Sequence, residues 1–307
     1  MLALFGFHAM STFGDRQGLV SALHEPRYIY TCGWKFDLLA QALFDGELAP
    51  VGRMPTKVDV ALDGMGGPHR CPGGLSRVVH MQGERSFRGP ATARPWRGHY
   101  YIGPLERAIP GALQVYYVVE AFYRLPLWQR TGTGMRRQPN SGQHGVVYAA
   151  SNCYPHRERA FDALSQVVES VAIGKCSGSH PELRHPGEAT RAQYNSNYLV
   201  FRDYRYVLCM ENHKTMGYIT EKIIYAFAAG AIPIYYGTLE VFDLFNREAF
   251  IYYDPDRPGD ALARVAYLEG NRTAYAELVH ESVFAPGSFS AHFGEGLKRR
   301  VNGLVSV

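Results

Sequence analysis

The chain has 307 residues, of which 46% are apolar and 20% charged, and its formal net charge is +4. This is the composition of an ordinary globular protein, and the length predicts two domains of roughly 150 residues each. A charge this small, without a run of Lys or Arg, offers no basic stripe, so we expect no nucleic-acid partner.

The sequence gives no sign of a membrane anchor or of export. No apolar run approaches the ~20 residues of a membrane-spanning helix, and the opening MLALFGFHAM lacks a basic stretch and is short for a signal peptide. We interpret that opening as the first core strand and predict a cytoplasmic protein. Its oligomeric state is not predictable from the sequence.

The cysteines are few, odd in number and widely spaced, so we expect no disulfide framework. They are Cys32, Cys71, Cys153, Cys176 and Cys209. A zinc site is the alternative, built from Cys153, His156, Cys176, His180 and His185. Cys153 and His156 have a ligand-like spacing, but Cys176 has no C-x2-C partner, so we predict no metal site there.

The first half alternates short apolar runs with loops rich in Gly and Pro. In chain order the runs are LALFGFH, YIY, the helical WKFDLLAQAL, VDVAL, RVVHMQG and VYYVVE, and the longest loops are MGGPHRCPGG and FRGPATARPWRG. This pattern predicts a sheet with helices and large loops. Such loops usually carry the binding surface of a rigid scaffold.

A polar, glycine-rich segment, QRTGTGMRRQPNSGQHG, runs from Gln129 to Gly145. Its composition is typical of a linker between domains. We therefore predict one domain over residues 1–138 and a second over residues 139–307.

Strand and helix patterns alternate regularly after this segment, which predicts a doubly wound parallel sheet. The predicted strands are GVVYAAS, SVAI, YRYVLCME, IPIYY and FIYY, and the predicted helices are HRERAFDALSQVV, YITEKIIYAFAAG, LEVFDLF and DALARVAYLEG.

Polar residues follow one of these strands and begin the next helix. Glu211 and Asn212 end the strand, and Tyr218, Glu221 and Lys222 begin the helix. Ligands of doubly wound sheets bind beyond the carboxyl ends of the strands, and a helix N-terminus with a lysine suits phosphate. A carboxylate there suits sugar or ribose hydroxyls instead. The alternative is that Glu221 only favours the helix dipole and Lys222 is an ordinary surface residue.

The run MENHKTMGYITEKIIYAFAAGAIPIYYG resembles the donor-binding signature of the glycosyltransferase family 10 fucosyltransferases. SNCYPHRERAFDAL, with Arg157 seven residues before Leu164, resembles the Ser-Asn segment of the same family. VAIGKC, RVVHMQGE, YYIGPLER and FYRLPLW resemble further segments, so the similarity extends from about Arg77 to about Ala276.

The resemblance implies an α/β fold of GT-B architecture, with two Rossmann-like domains facing across a cleft. It implies that Arg157 and Lys222 hold the pyrophosphate of GDP-fucose, and that Asn212, Tyr218 and Glu221 contact phosphate, ribose or fucose. Glu84, at the end of RVVHMQGE, would be the general base.

The family comparison also implies the reaction, an inverting transfer of L-fucose from GDP-β-L-fucose to an oligosaccharide or glycoconjugate acceptor. A GlcNAc-type or Glc-type hydroxyl and an α-1,3 or α-1,4 linkage are expected. Donor binding then needs no metal, although Mn²⁺ or Mg²⁺ could stimulate it, and we interpret Asp254 to Asp256 as a turn rather than a metal motif. The alternatives are a GT-B enzyme with another sugar nucleotide and an inactive glycan-binding relative.

Overall fold

The structure is a computed structural model that describes part of the chain. The described residues are 28–32, 37–44, 47–48, 60–64, 75, 77–81, 99–103, 105, 112–138, 140–176, 180–185 and 196–306. The strand expected in MLALFGFHAM lies outside them.

The first half forms a six-stranded parallel sheet with the strand order β2-β1-β3-β4-β5-β6. Its strands are β1 (Tyr28–Cys32), β2 (Glu47–Leu48), β3 (Val60–Gly64), β4 (Val78–Met81), β5 (His99–Gly103) and β6 (Ala112–Gln114). Its helices are α1 (Asp37–Leu43) and α2 (Tyr117–Arg124). The runs YIY, VDVAL and RVVHMQG are strands as expected, WKFDLLAQAL contains α1, and VYYVVE leads into α2.

The second half forms another six-stranded parallel sheet, with the order β11-β10-β9-β12-β13-β14. A short antiparallel hairpin, β7 (Arg130–Thr131) and β8 (Gly134–Met135), precedes it. The sheet strands are β9 (His144–Ala150), β10 (Ser170–Gly174), β11 (Arg184–His185), β12 (Tyr204–Met210), β13 (Ile232–Tyr236) and β14 (Ile251–Tyr252). Each strand predicted for this half is present.

Helices cover both faces of the second sheet, as a doubly wound fold requires. The helices of the second half are α3 (Pro155–Ser165), α4 (Asn197–Val200), α5 (Glu221–Ala228), α6 (Val241–Leu244), α7 (Pro258–Gly270), α8 (Arg272–His280), α9 (Ser288–His292) and α10 (Glu295–Ser306). Alternate side chains of β12 enter opposite cores, with Val207 on the side of α5 and Tyr206 and Leu208 on the side of α3 and α7.

Helix α5 is buried on nearly all sides, because the second sheet covers one face and α2 covers another. Every residue from Ile223 to Ala228 is buried, and the amide of Val118, in α2, donates to the carbonyl of Ile219 at 3.0 Å. The start of α5 is therefore fixed by both halves of the chain.

The polar segment predicted as a linker forms hydrogen bonds with the C-terminal end of α5. The Gln129 side chain and the Gln138 amide both donate to the carbonyl of Ala228, at 2.9 and 3.2 Å. The Asn140 side chain donates to Ala229 at 3.1 Å. These polar residues satisfy the last carbonyls of the helix, which have no partner within it.

The last helix returns to the first sheet. Helix α10 packs against α1 and β6, and the Asn302 side chain donates to the carbonyl of Leu43 at 2.9 Å. The boundary between residues 138 and 139 stays a prediction.

No helix in the described part of the chain is long and apolar enough to cross a membrane. The prediction of a cytoplasmic location goes further than this observation.

The cysteine prediction is wrong, because Cys153 and Cys176 form a disulfide with an S–S distance of 2.06 Å. Strands β9 and β10 pair with Ala150 opposite Gly174, so the two cysteines, distant in sequence, follow adjacent strand ends. Cys32 is also disulfide-bonded, whereas Cys209 is free and buried. The sulfurs of Cys153 and Cys176, bonded to each other, are not the thiolates that the zinc alternative needs.

Candidate functional site

The carboxyl ends of β9, β12 and β13 meet at one edge of the second sheet, because these strands are parallel neighbours. The loop after β9 leads to α3, the loop after β12 leads to α5, and the loop after β13 leads to α6. This edge is where a doubly wound sheet binds its ligand. The candidate site consists of the side chains that these three loops and helix starts place there.

Arg157, in the first turn of α3, is the most deeply buried cation of this edge, with 3% of its surface exposed. Its guanidinium donates to the carbonyls of Asn152 and Met210, at 3.1 and 2.6 Å, and to the side-chain oxygen of Asn212 at 2.6 Å. These acceptors are all neutral, and its Nε has no partner. No carboxylate of a described residue forms an ion pair with it.

A buried charge without an opposite charge is costly. Nearby His156 is also poorly suited to carry charge, since burial lowers its pKa, although its hydrogen bond to the Glu211 carbonyl raises it. Among the described residues nothing offsets the positive charge of Arg157 at the ligand-binding edge, and an anion is the ligand it favours.

Asn212 and Tyr218 lie together across the loop between β12 and α5. The Asn212 side chain accepts from Arg157 through its oxygen and donates to the Tyr218 hydroxyl, at 3.2 Å, through its nitrogen. Tyr218 is buried, with 4% of its surface exposed. The sequence-predicted residues Arg157, Asn212 and Tyr218 are thus joined in one hydrogen-bonded chain.

Glu211 ends the strand at this edge, as predicted, but it is not among the predicted site residues. It is fully buried, and its carboxylate accepts from the backbone amide of Thr220 at 2.7 Å and from the Thr220 hydroxyl at 2.8 and 3.0 Å. Thr220 is the N-cap of α5 and makes no side-chain capping bond of its own. The carboxylate from the strand end thus supplies the cap that the helix lacks.

Lys222 lies beside this carboxylate. Its ammonium donates to Glu211 at 3.3 Å, to the Thr220 hydroxyl at 2.9 Å and to Glu221 at 3.4 Å. Burial raises the pKa of Glu211, and the Lys222 charge opposes that shift. The predicted residues Glu221 and Lys222 are therefore brought together, but in this structure the lysine charge is shared between two carboxylates.

Glu240, in the loop after β13, organises the outer part of the site. Its carboxylate accepts from the amide of Gly217, from the Thr238 hydroxyl at 3.1 Å and from the Tyr116 hydroxyl at 3.3 Å. Gly217 has φ +75°, a conformation that glycine adopts without strain. Glu240 therefore connects the turn before Tyr218 to the residue that precedes α2.

Glu84, the predicted base, lies outside the described residues. The strand before it is described and ends at Met81, and His80 on that strand is buried and stacks on Tyr101 with 5.0 Å between ring centroids. The Asp254 to Asp256 segment is a turn, as predicted, in which the Asp256 amide donates to the Asp254 side chain at 3.1 Å.

Residues 140–280 match the family model described as "Glycosyltransferase family 10 (fucosyltransferase) C-term". This segment is similar to the C-terminal domain of that family. The matched segment includes five of the six predicted site residues, and Glu84 lies before it. The resemblance seen in the donor-binding signature is thereby confirmed.

Curated proteins that this chain resembles carry fucosyltransferase names. An alpha-(1,4)-fucosyltransferase of Arabidopsis thaliana is 28% identical over 43% of this chain and 36% of its own length. The alpha-(1,3)-fucosyltransferase FucT of Helicobacter pylori is 34% identical over 31% of this chain and 20% of its own length. GDP-fucose protein O-fucosyltransferase 3 of Danio rerio is 28% identical over 39% of this chain and 27% of its own length. The matches therefore span about a fifth to a third of each of these relatives.

Solved structures extend the likeness beyond the matched segment. An alpha1,3-fucosyltransferase crystallised with GDP-fucose matches with a TM-score of 0.60, covering 98% of this chain and 93% of that chain, at 17% sequence identity. Another crystal structure of an alpha1,3-fucosyltransferase matches with a TM-score of 0.61, covering 94% of this chain and 92% of that chain, at 17% sequence identity. The fold is therefore the α/β GT-B architecture, with two Rossmann-like domains facing across a cleft.

Proposed function

We propose that this protein is an inverting fucosyltransferase that moves L-fucose from GDP-β-L-fucose to a hydroxyl of a glycan acceptor. The observation that carries the proposal is Arg157, a buried guanidinium that forms no ion pair with a described carboxylate, at the edge where this fold binds ligands. The pyrophosphate of a nucleotide sugar supplies the missing negative charge. The names of the relatives favour GDP-fucose as the donor.

The site residues divide into groups for phosphate and groups for hydroxyls. Arg157 and Lys222 are the cations, and the start of α5 adds the positive end of the helix dipole. Asn212 and Tyr218 adjoin Arg157, where ribose or phosphate oxygens would lie, and the Glu221 carboxylate suits sugar or ribose hydroxyls. In this proposal the cations matter most in the transition state, when the fucose–phosphate bond breaks and negative charge builds on the departing GDP.

Glu84 is the general base of the proposal. The acceptor hydroxyl must lose its proton as the new bond forms, and a carboxylate from the opposite domain can take it. Attack from the side opposite the pyrophosphate inverts the anomeric centre. Arg85, next in sequence, would lower the pKa of this carboxyl group and so reduce its basicity.

Metal-independent donor binding is also part of the proposal, because Arg157, Lys222 and the helix start can together offset the charge of the pyrophosphate. Addition of EDTA should then leave the affinity for GDP unchanged. A loss of binding that Mn²⁺ or Mg²⁺ restores would contradict this point.

The cytoplasmic location stays a prediction, and the Cys153–Cys176 disulfide does not favour it. Disulfides persist mainly in oxidising compartments. Fractionation of the source cells under conditions that trap thiols would test the location and the bond together.

The donor is tested by thermal shift with GDP, UDP and ADP. We expect GDP to raise the melting temperature most, because a ligand that binds only the folded state stabilises it. A clear preference for UDP or ADP would contradict fucose as the transferred sugar while leaving the GT-B fold intact.

The acceptor is tested by incubation with GDP-fucose and a glycan array, followed by mass spectrometry of the products. We expect addition of one deoxyhexose to GlcNAc-type or Glc-type acceptors, in α-1,3 or α-1,4 linkage. Glu84→Ala should sharply reduce transfer and spare GDP binding. Unchanged transfer by that variant would remove Glu84 from the mechanism.

A further inference from the structure

We propose that Glu211 is a positioning residue of the donor site, which holds the ammonium of Lys222 in place for the departing pyrophosphate. This inference rests on the proposed function and goes beyond it, because Glu211 itself would touch neither donor nor acceptor. It assigns a role to a buried carboxylate that is not among the predicted site residues.

The geometry that supports the role is a three-residue network at the start of α5. The Glu211 carboxylate, Thr220 hydroxyl and Lys222 ammonium lie within hydrogen-bond distance of one another, at 2.8 to 3.3 Å. The Thr220 amide also donates to Glu211 at 2.7 Å. The carboxylate therefore fixes the backbone just before Lys222 as well as the Lys222 ammonium. Lysine is otherwise a flexible side chain with a high conformational entropy.

The buried position explains why the carboxylate can fix this cation. Glu211 is fully buried and Lys222 exposes 18% of its side chain, so water screens their attraction less than it would at the surface. A carboxylate this deep is costly unless it is paired and hydrogen-bonded. The pair therefore holds the ammonium at one place before the donor arrives, which is the preorganisation that transition-state stabilisation requires.

The same pair predicts a separation between binding and turnover. Removing the charge of Glu211 loosens Lys222, which weakens contact with the pyrophosphate, but it also removes a negative charge near that pyrophosphate. These two effects oppose each other when GDP simply binds. In the transition state the negative charge on the leaving group is greater, so the loss of a positioned cation dominates.

The experiment is a double-mutant cycle with Glu211→Gln, Lys222→Met and both together, with GDP release from GDP-fucose as the readout. Glutamine keeps an oxygen for the Thr220 amide but carries no charge. We expect Glu211→Gln to lower kcat by about tenfold or more and to change the Kd for GDP by less than about threefold. When Lys222 is already methionine, Glu211→Gln should alter kcat by less than about twofold, because the ammonium that Glu211 positions is no longer present.

Glu269→Gln is the matched control. Glu269, in α7, forms an ion pair with Arg205 at 2.6 Å, and Arg205 lies near the amino end of β12, away from the site. This control should leave kcat unchanged. If Glu211→Gln fails to fold, Thr220→Val removes the hydroxyl that bridges Glu211 and Lys222, and it should lower kcat in the same way.

The inference would be overturned if the fold-change in kcat of the double variant equalled the product of the two single fold-changes. An unchanged kcat in Glu211→Gln would also overturn it. A parallel loss of kcat, GDP affinity and melting temperature would also overturn it, because that pattern indicates a purely structural role. The proposed donor is judged separately on the unaltered protein. Turnover of another sugar nucleotide would overturn only the assignment of GDP-fucose, and the double-mutant cycle would then use that other donor. No turnover of any sugar nucleotide would overturn both the proposed function and the role of Glu211.

Discussion

At the scale of single residues, the two predicted phosphate cations differ in how far their charges are already offset. Arg157 donates to neutral acceptors, whereas Lys222 contacts two carboxylates. Arg157 thus presents a full positive charge to an incoming pyrophosphate, whereas the charge of Lys222 is partly offset by its two carboxylates. Ground-state affinity for the nucleotide should therefore depend more on Arg157.

Arg157→Lys tests this difference while keeping the charge. We expect GDP affinity to fall by about tenfold or more, because lysine lacks the planar fork that bonds several oxygens at once. Isothermal titration with GDP measures the effect. Arg159→Lys, two residues further along α3 and exposed, is the matched control and should bind GDP like the unaltered protein, so equal losses in both variants would contradict the assignment.

Glu120, on α2, should make stability depend on pH. It is 2% exposed and paired with Arg124. Burial raises its pKa to about 7, although Arg124 lowers it and the charge of Glu221 raises it further. The folded state therefore holds a proton on Glu120 that the unfolded state releases above about pH 4.5, so this group makes the free energy of unfolding fall as pH rises from about 4.5 to about 7.

Glu120→Gln should remove that pH dependence. Between about pH 5 and pH 8 we expect the variant to lose less stability than the unaltered protein, by about 3 kcal/mol at most, since one pKa unit corresponds to about 1.4 kcal/mol. Urea unfolding at the two pH values measures the difference. Parallel pH dependence in the two proteins would show that Glu120 titrates as it does in the unfolded chain.

At the scale of elements, the Cys153–Cys176 disulfide joins the loop after β9 to the end of β10. That loop leads into α3, and its residue Asn152 accepts a hydrogen bond from Arg157 through its carbonyl. The bond therefore restrains the segment that holds the buried guanidinium. Its effect should reach nucleotide binding as well as stability.

The double variant Cys153→Ser, Cys176→Ser tests this effect without reducing the disulfide of Cys32. We expect a loss of roughly 2–4 kcal/mol in the free energy of unfolding and a severalfold weaker affinity for GDP. Leu278→Ala is the control, since it removes a buried side chain of α8 elsewhere in the same core and should cost about 2–5 kcal/mol without changing GDP affinity. Full GDP affinity in the serine variant would show that the disulfide supports stability alone.

At the scale of the whole molecule, the two sheets share one hydrophobic core. It includes strand residues of both sheets, such as Val79 and Val207, together with residues of α2, α5 and α10. Phe122 of α2 contacts Phe284, Phe289 and Phe293 from the end of the chain, with ring centroids 5.5 to 6.1 Å apart. The C-terminal residues therefore help to hold the first half of the molecule.

Leu297→Ala should destabilise the whole chain for this reason. Leu297 is 1% exposed in α10, and removing a buried leucine side chain costs about 2–5 kcal/mol. We expect a lower melting temperature with a single transition when monitored by both fluorescence and circular dichroism. Arg299→Ala, on the exposed side of the same helix, should melt like the unaltered protein. Two separate transitions, of which only one moves to a lower temperature, would show that the two halves unfold independently.

Sequence by itself determined the alternating strands and helices of the second half, because hydrophobic periodicity is a local property of the chain. It also placed Asn212, Tyr218, Glu221 and Lys222 at one edge, since residues after a strand and at the start of the next helix must lie there in a parallel sheet. The family signature selected Arg157, which no local pattern distinguishes from Arg159.

Tertiary structure alone decided how these residues are paired. The disulfide depends on the register of β9 and β10, and the burial of α5 depends on α2 from the first half, so neither follows from local spacing. The sequence assigns a ligand role to Glu221 and none to Glu211, because it does not show which of two nearby carboxylates faces inward. The fold buries Glu211 against Thr220 and Lys222, since the helix start needs a cap and the buried charge needs a partner.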